Sequence, residues 1–119
     1  MTDADAGKTP PITRTVVLDQ TLAEPQRTHR VQVRRITIAP GQAVGLHVHN
    51  GPVFGSIETG SAVYQIEGEP AVVLGAGDVF YEPKGARIAR FDARDDGVTF
   101  LGYFLLEAGE SPEIESPAS

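Results

Sequence analysis

At 119 residues, the chain is long enough for one domain with a modest hydrophobic core and too short for two. Its formal net charge of -6 disfavours a nucleic-acid backbone or an anionic membrane as a partner, so a small molecule is the expected ligand. The absence of Cys excludes disulfides, thiolate chemistry and Cys-ligated zinc.

The two ends of the chain differ in composition from its middle. Residues 1–10 are polar and acidic, unlike a signal peptide, and no apolar run approaches the roughly 20 residues of a membrane-spanning helix. We therefore expect a cytoplasmic protein. Residues 1–10 and 109–119 are predicted to be disordered tails, and residues 11–108 to form the single domain.

Short extended segments separated by turn residues follow one another along this domain. Thirteen Gly and nine Pro favour many turns, and no window of helical length shows a convincing 3.6-residue period. The predicted strands, in chain order, are 12–18, 29–38, 43–48, 53–59, 62–67, 71–74, 79–82, 87–91 and 98–107. This spacing predicts an all-β fold, either a sandwich or a closed barrel.

The last predicted strand is apolar on both of its alternating faces. Its two sets of side chains are Val98, Phe100, Phe104 and Leu106 on one face and Leu101, Tyr103 and Leu105 on the other. We expect both faces to be covered, either by a second sheet or by another subunit.

Two of the three histidines lie one residue apart in the segment 40–60. On a β-strand, residues i and i+2 point to the same face about 6 to 7 Å apart, so the imidazoles of His47 and His49 can converge on one ion. The pair is a candidate metal site, and a small polar pocket without a metal is the alternative.

Two segments of the chain resemble the two-motif signature of the cupin superfamily. The first has Gly41, five residues, His47-Val48-His49, three residues, Val53, six residues and Gly60. The second has Gly77, five residues, Pro83-Lys84-Gly85, two residues, Ile88, three residues and Asp92. The resemblance covers residues 36–104 and implies a double-stranded β-helix, or jelly-roll, barrel. Together with the apolar last strand, it also implies a homodimer.

The chain departs from the family pattern at two of the four positions that hold a divalent metal. In that pattern the first motif supplies two His and a Glu, and the second motif supplies a third His. Here His47 and His49 match, whereas the Glu position holds Val53, or Phe54 if the spacing is four, and the third His position holds Ile88. The resemblance therefore implies an incomplete ligand set for a metal such as Zn, Fe, Ni or Cu.

Glu82 and Arg90 are the candidate catalytic residues. Glu82 precedes the turn of the second motif and can complete the metal site, act as a general base or cap that turn. If Ile88 points inward, strand alternation also points Arg90 inward, where it can bind a substrate carboxylate or phosphate. A slip of one residue instead buries Ala89 and Phe91 and places Arg90 in solvent.

These features predict a small barrel that binds a small organic molecule. One hypothesis is an isomerase, cyclase, lyase or oxygenase that uses His47 and His49, with or without a divalent metal. The alternative hypothesis is a non-catalytic protein that binds a small ligand and has lost its metal.

Overall fold

The computed structural model describes residues 11–116, and these residues form strands and loops without a helix. The strands are β1 (Arg30–Ile38), β2 (Val48–His49), β3 (Val53–Ile66), β4 (Val72–Gly75), β5 (Val79–Glu82), β6 (Ile88–Leu106) and β7 (Ile114–Glu115). The all-β prediction is thereby confirmed. In this described part of the chain, no helix is long and apolar enough to cross a membrane.

Two long antiparallel strands, β3 and β6, form the centre of the main sheet. Strand β1 pairs with the second half of β6 at one edge. On the other side of β3, β5 pairs with its first half and β4 with its second half. Strands β2 and β7 form a separate two-stranded sheet. This arrangement places the short strand β5 beside β3, and a bridge between His47 and Ile88 places the residue before β2 beside β6.

Each of the two long strands replaces two strands that the sequence predicts. The predicted break at Gly60 is a register shift within a continuous ladder, and Gly60 pairs with Val98 across it. Gly60 has a φ of 78°, and a Cβ there would lie 2.0 Å from the carbonyl oxygen of Gly97. Glycine is therefore required because the two backbones approach too closely for a side chain.

The core lies on the inner face of the sheet and is largely aromatic. The ring centroids of Phe91 and Phe100 lie 4.8 Å apart, and that of Phe80 lies 5.1 Å from Phe91. The inner side chains of β6 are buried here, but its outer set, Leu101, Tyr103 and Leu105, is only half-buried. We expected both faces of this strand to be covered. Within one chain, only the inner face is completely covered.

Three predictions about the ends of the domain have different outcomes. The predicted strand at 12–18 is wrong, because Ile12, Val16 and Val17 are 64 to 78% exposed and no described strand pairs with them. Residues 1–10 lie outside the described residues. Part of the predicted C-terminal tail is described, and its residues Ile114–Glu115 pair with β2. The domain boundaries stay a prediction.

Candidate metal centre

Three buried side chains, His47, His49 and Glu82, meet at one end of the core. His49 ends β2 and Glu82 ends β5, while His47 precedes β2 and forms an isolated bridge with Ile88. Their relative exposures are 4%, 8% and 4%. One potential ligand atom from each lies within 4.8 Å of the others. The structure thus brings Glu82 to the histidine pair.

The carboxylate of Glu82 contacts both imidazoles. Its Oε2 atom lies 2.6 Å from Nε2 of His49, and its Oε1 atom lies 3.5 Å from Nε2 of His47. The two rings are nearly perpendicular, with centroids 5.1 Å apart. Each carboxylate oxygen therefore lies next to a different histidine.

The ring of His47 is held in place by the backbone on both sides. Its Nδ1 lies 2.8 Å from the carbonyl oxygen of Gly45, and its own backbone exchanges hydrogen bonds of 2.8 and 3.1 Å with Ile88. Gly45 has a φ of 88°, a conformation that L side chains rarely adopt. Because Nδ1 donates its proton to this carbonyl, Nε2 of the neutral ring is available as a ligand.

Glu82 enters the site from the strand next to the one on which the family pattern places its Glu. Val53 of β3, which stands at that family position, pairs directly with Glu82 of β5. Side chains directly opposite each other in an antiparallel pair share one face of the sheet. The carboxylate of Glu82 therefore reaches the region that a Glu at position 53 would reach.

Among the described residues, no ligand replaces the third histidine. Ile88, which stands at its position, is fully buried and packs within the aromatic core. Its strand neighbours are His47 and Ile66, so neither side of the ladder offers a further ligand at this point. The described chain thus provides three of the four ligands that the resemblance implies.

Glu82 and His47 stabilise each other's charged forms. Burial raises the pKa of Glu82, but its contacts with His47 and His49 lower it more, and the pKa lies below the ordinary value. Burial lowers the pKa of His47, but the contact with Glu82 and the carbonyl of Gly45 raise it more. The pair therefore favours an ionised carboxylate next to a protonated imidazole.

A cavity of about 140 Å³ lies beside the cluster. Every lining side chain other than His47, His49 and Glu82 is aliphatic or phenyl: Ile36, Ile38, Val44, Val53, Phe80, Phe91, Phe100, Phe104 and Ile114. Val44 and Ile114 are 44% and 58% exposed and mark the mouth of the cavity. Nothing in the sequence pointed to Ile114, because it is an isolated apolar residue in a polar segment.

The geometry of the cluster fits a divalent transition metal. Nitrogen and oxygen ligands lie about 2.0 to 2.2 Å from zinc, so adjacent ligand atoms are separated by roughly 3.0 to 3.4 Å. The separations of 2.6 and 3.5 Å between Glu82 and the two histidines, which involve different carboxylate oxygens, bracket this range. One ligand atom from each of the three residues lies within 4.8 Å of the others, so the side chains would move closer together around a bound ion. Two imidazoles and one carboxylate suit Zn, Fe, Ni and Cu and leave at least one position for water or substrate.

Arg90 lies on the outer face of the sheet, away from the cluster. Its side chain is 47% exposed, and its Nε lies 2.7 Å from Oδ2 of Asp92. A register shift pairs Gln65 with Arg90 but Ile66 with Ile88, which leaves Ala89 as an extra residue. Because of this extra residue, the side chains of both Ile88 and Phe91 are buried. The strand therefore follows neither of the two registers predicted from the sequence along its whole length. A catalytic role for Arg90 stays a prediction.

A family model described as a cupin domain matches residues 34–96. A comparison with curated protein sequences finds no significant match. Solved structures with the same fold also match this chain.

Three of these structures illustrate the range of the similarity. A cupin-like protein from Thermotoga maritima is 26% identical with a TM-score of 0.61, over 70% of this chain and 62% of that one. The DMSP lyase DddQ from Ruegeria pomeroyi is 22% identical with a TM-score of 0.62, over 74% and 43%. A mutant of the oxalate decarboxylase OxdC from Bacillus subtilis is 26% identical with a TM-score of 0.58, over 69% and 23%. The chain thus spans less than two thirds of the length of each.

Proposed function

This chain belongs to the cupin family, and we propose that its His47–His49–Glu82 cluster binds a divalent transition metal at which a small organic molecule is converted. The observation that carries this proposal is the convergence of three buried ligand atoms within 4.8 Å at the polar end of an otherwise apolar cavity. Burial of a carboxylate beside two imidazoles is costly unless these groups bind each other or an ion.

Different groups at the site account for substrate binding and for proton transfer. A bound divalent metal supplies Lewis-acid polarisation of a coordinated oxygen. Glu82 is ionised, because its contacts with the two imidazoles lower its pKa, and a carboxylate oxygen that does not hold the metal would be free to accept a proton from the substrate. The phenyl and aliphatic walls exclude water and orient the substrate. This division favours isomerisation or elimination, in which a proton is removed beside a polarised group.

The similar structures support a reaction of this general kind without identifying it. One is a DMSP lyase and another is an oxalate decarboxylase. The fold therefore carries reactions in which small organic molecules are cleaved. These activities are those of the similar proteins. The substrate of this chain has to fit the lining of its own cavity.

Metal analysis of the purified protein tests the proposal. We expect about one Zn, Fe, Ni or Cu ion per chain and a higher melting temperature when metal is added. The His47→Ala/His49→Ala variant should lose both effects. A His29→Ala variant is the matched control, because His29 is exposed and lies outside the cluster. Absence of metal binding in the wild-type protein, after addition of each ion, would overturn the proposal.

Metal-free acid–base catalysis is the second candidate function. It is favoured by the 2.6 Å contact between Nε2 of His49 and Oε2 of Glu82, which resembles a base and its orienting partner. Turnover that survives complete removal of metal by a chelator supports this candidate. Turnover that disappears with the chelator and returns with one metal supports the first.

For the assembly, we propose a homodimer formed through the outer face of β1 and β6. Val31 and Val33 of the edge strand β1 are 53% and 51% exposed, and they pair with Leu105 and Tyr103 of β6. These side chains form a continuous apolar surface on the face that the chain itself covers incompletely.

Sedimentation velocity tests the homodimer. We expect a wild-type dimer and a monomeric Val31→Arg/Val33→Arg variant. The matched control is Val72→Arg/Val73→Arg, which introduces the same charges at two residues of similar exposure on β4. A monomeric wild-type protein, or a control that dissociates equally, would contradict the proposed interface.

A further inference from the structure

We propose that the molecule bound at the cluster is a small monoanion, with an oxygen-donor head group such as a carboxylate on an uncharged apolar body about the size of a benzene ring. This inference rests on the proposed function, because the head group binds where the metal does. It follows from the distribution of polar groups, the charge of the cluster and the size of the cavity.

The polar groups of the cavity lie at one end only. His47, His49 and Glu82 are the sole lining side chains, among the residues that the structure describes, that carry charge or form hydrogen bonds. The remaining walls include Phe80, whose ring belongs to the buried aromatic core. A ligand that fits this lining has one polar end, because a second polar group would be buried without a partner.

The charge of the cluster selects one negative charge on the ligand. Glu82 contributes one negative charge, and imidazoles that bind a divalent metal contribute none, so the loaded cluster carries a net charge of about +1. A monoanion neutralises it. Arg34 lies with its guanidinium carbon 5.3 Å from the ring centroid of Phe104, and Arg90 pairs with Asp92, but neither arginine lines the cavity. A second negative charge therefore finds no cation.

The size of the cavity limits the body of the ligand. Its volume is about 140 Å³, and an apolar cavity of about 150 Å³ in another protein holds one benzene molecule. The exposed residues at the mouth, Val44 and Ile114, are also apolar. An apolar body of this size thus meets no polar side chain between solvent and the cluster.

Titration of the cobalt-loaded protein with matched ligands tests the inference. Benzoate is the monoanion, terephthalate adds a second carboxylate to the same ring, and benzamide is the neutral isostere. We expect benzoate to change the visible absorption of the bound cobalt, and terephthalate and benzamide to bind at least about a hundredfold more weakly. Calorimetry on the zinc-loaded protein gives an independent measure of each affinity.

Two outcomes of this titration overturn the inference and leave metal binding intact. One is a terephthalate affinity within about tenfold of that of benzoate, and the other is no benzoate binding by protein that has bound cobalt. Failure of the protein to bind cobalt or zinc at all overturns the proposed function together with the inference. The metal titration that precedes the ligand titration separates these cases.

Discussion

Val53 and Ile88 are two buried aliphatic residues that each lie directly across a strand pairing from a member of the cluster. Val53 pairs with Glu82, and Ile88 pairs with His47. Both side chains replace a polar residue of the family pattern, but only one replacement is compensated. Next to Val53 the neighbouring strand supplies a carboxylate, whereas next to Ile88 the neighbouring strand has already supplied a histidine.

The difference shows what a β-ladder allows. A carboxylate moved from one strand to the residue directly opposite keeps its side chain on the same face, so the site survives the exchange. Ile88 has no such substitute, since its two strand neighbours are His47 and Ile66. Its side chain instead extends the aromatic core to the edge of the cluster.

The largest expected effect comes from removing the carboxylate of Glu82, which compensates for the apolar side chain of Val53. Glu82→Val should weaken zinc binding by about a hundredfold or more, because the anionic ligand of the cluster is lost. Adding Val53→Glu should restore binding to within roughly tenfold, since the exchange preserves volume and returns a carboxylate to the same face. Competition with a coloured zinc chelator measures both affinities. A double variant as weak as Glu82→Val would contradict this account of the ladder.

The next largest effect is expected from placing a histidine at position 88. Ile88→His should increase zinc affinity by about tenfold, because an imidazole opposite His47 adds a third nitrogen ligand. The same change should lower the free energy of unfolding of the metal-free protein by roughly 1 to 3 kcal/mol, since it places a polar ring in the apolar core. Unchanged or weaker zinc binding in the folded variant would show that position 88 does not face the metal.

The third prediction concerns pH and depends on the contact between His47 and Glu82. The raised pKa of His47 gives a stabilising contribution that is complete below pH 6.5 and is lost as the pH rises through the folded-state pKa. The lowered pKa of Glu82 gives a contribution that is complete above pH 4.5 and is lost as the pH falls through its folded-state pKa. In chelator, the cluster should therefore stabilise the protein most between pH 4.5 and 6.5.

Metal binding should show the opposite trend, because it displaces the proton of His47. We expect zinc affinity to fall as the pH is lowered, by up to about tenfold per pH unit below the pKa of His47. Thermal unfolding across this pH range, with and without zinc, measures both trends. Glu82→Gln is the control and should remove the stability maximum. A wild-type maximum that persists in Glu82→Gln would assign it to other groups.

The smallest expected effect is that of Arg90→Ala. Its surface ion pair with Asp92 should contribute less than about 0.5 kcal/mol to stability, and zinc affinity should not change. Chemical denaturation and zinc competition measure these quantities. Loss of turnover in this variant at unchanged zinc affinity would instead support the catalytic role predicted from the sequence.

The sequence predicts the fold and the two histidines of the cluster because these depend on local spacing. Two histidines one residue apart share a face wherever the backbone is extended, so His47 and His49 could be identified without a structure. The contact with Glu82 depends on which strand pairs with β5. The position of Arg90 depends on the extra residue at Ala89, and neither feature leaves a local pattern.

The segment 12–18 shows that a local sequence pattern does not predict strand pairing. Its apolar residues favour an extended conformation, but a strand forms only where another strand offers hydrogen-bonding groups. None does so within the described chain, and the segment is exposed. Composition could predict its extended character and not its pairing.

The two-residue strand β2 has a consequence for the rate at which the site opens. His49 pairs with Ile114 of β7, and Asn50 accepts a hydrogen bond from the backbone of Glu113 and donates one to the carbonyl of Ser111. So short a ladder opens locally far more often than β3 or β6, which span the main sheet. Metal exchange and amide hydrogen exchange at His49 should therefore share one local opening event, much faster than unfolding of the barrel.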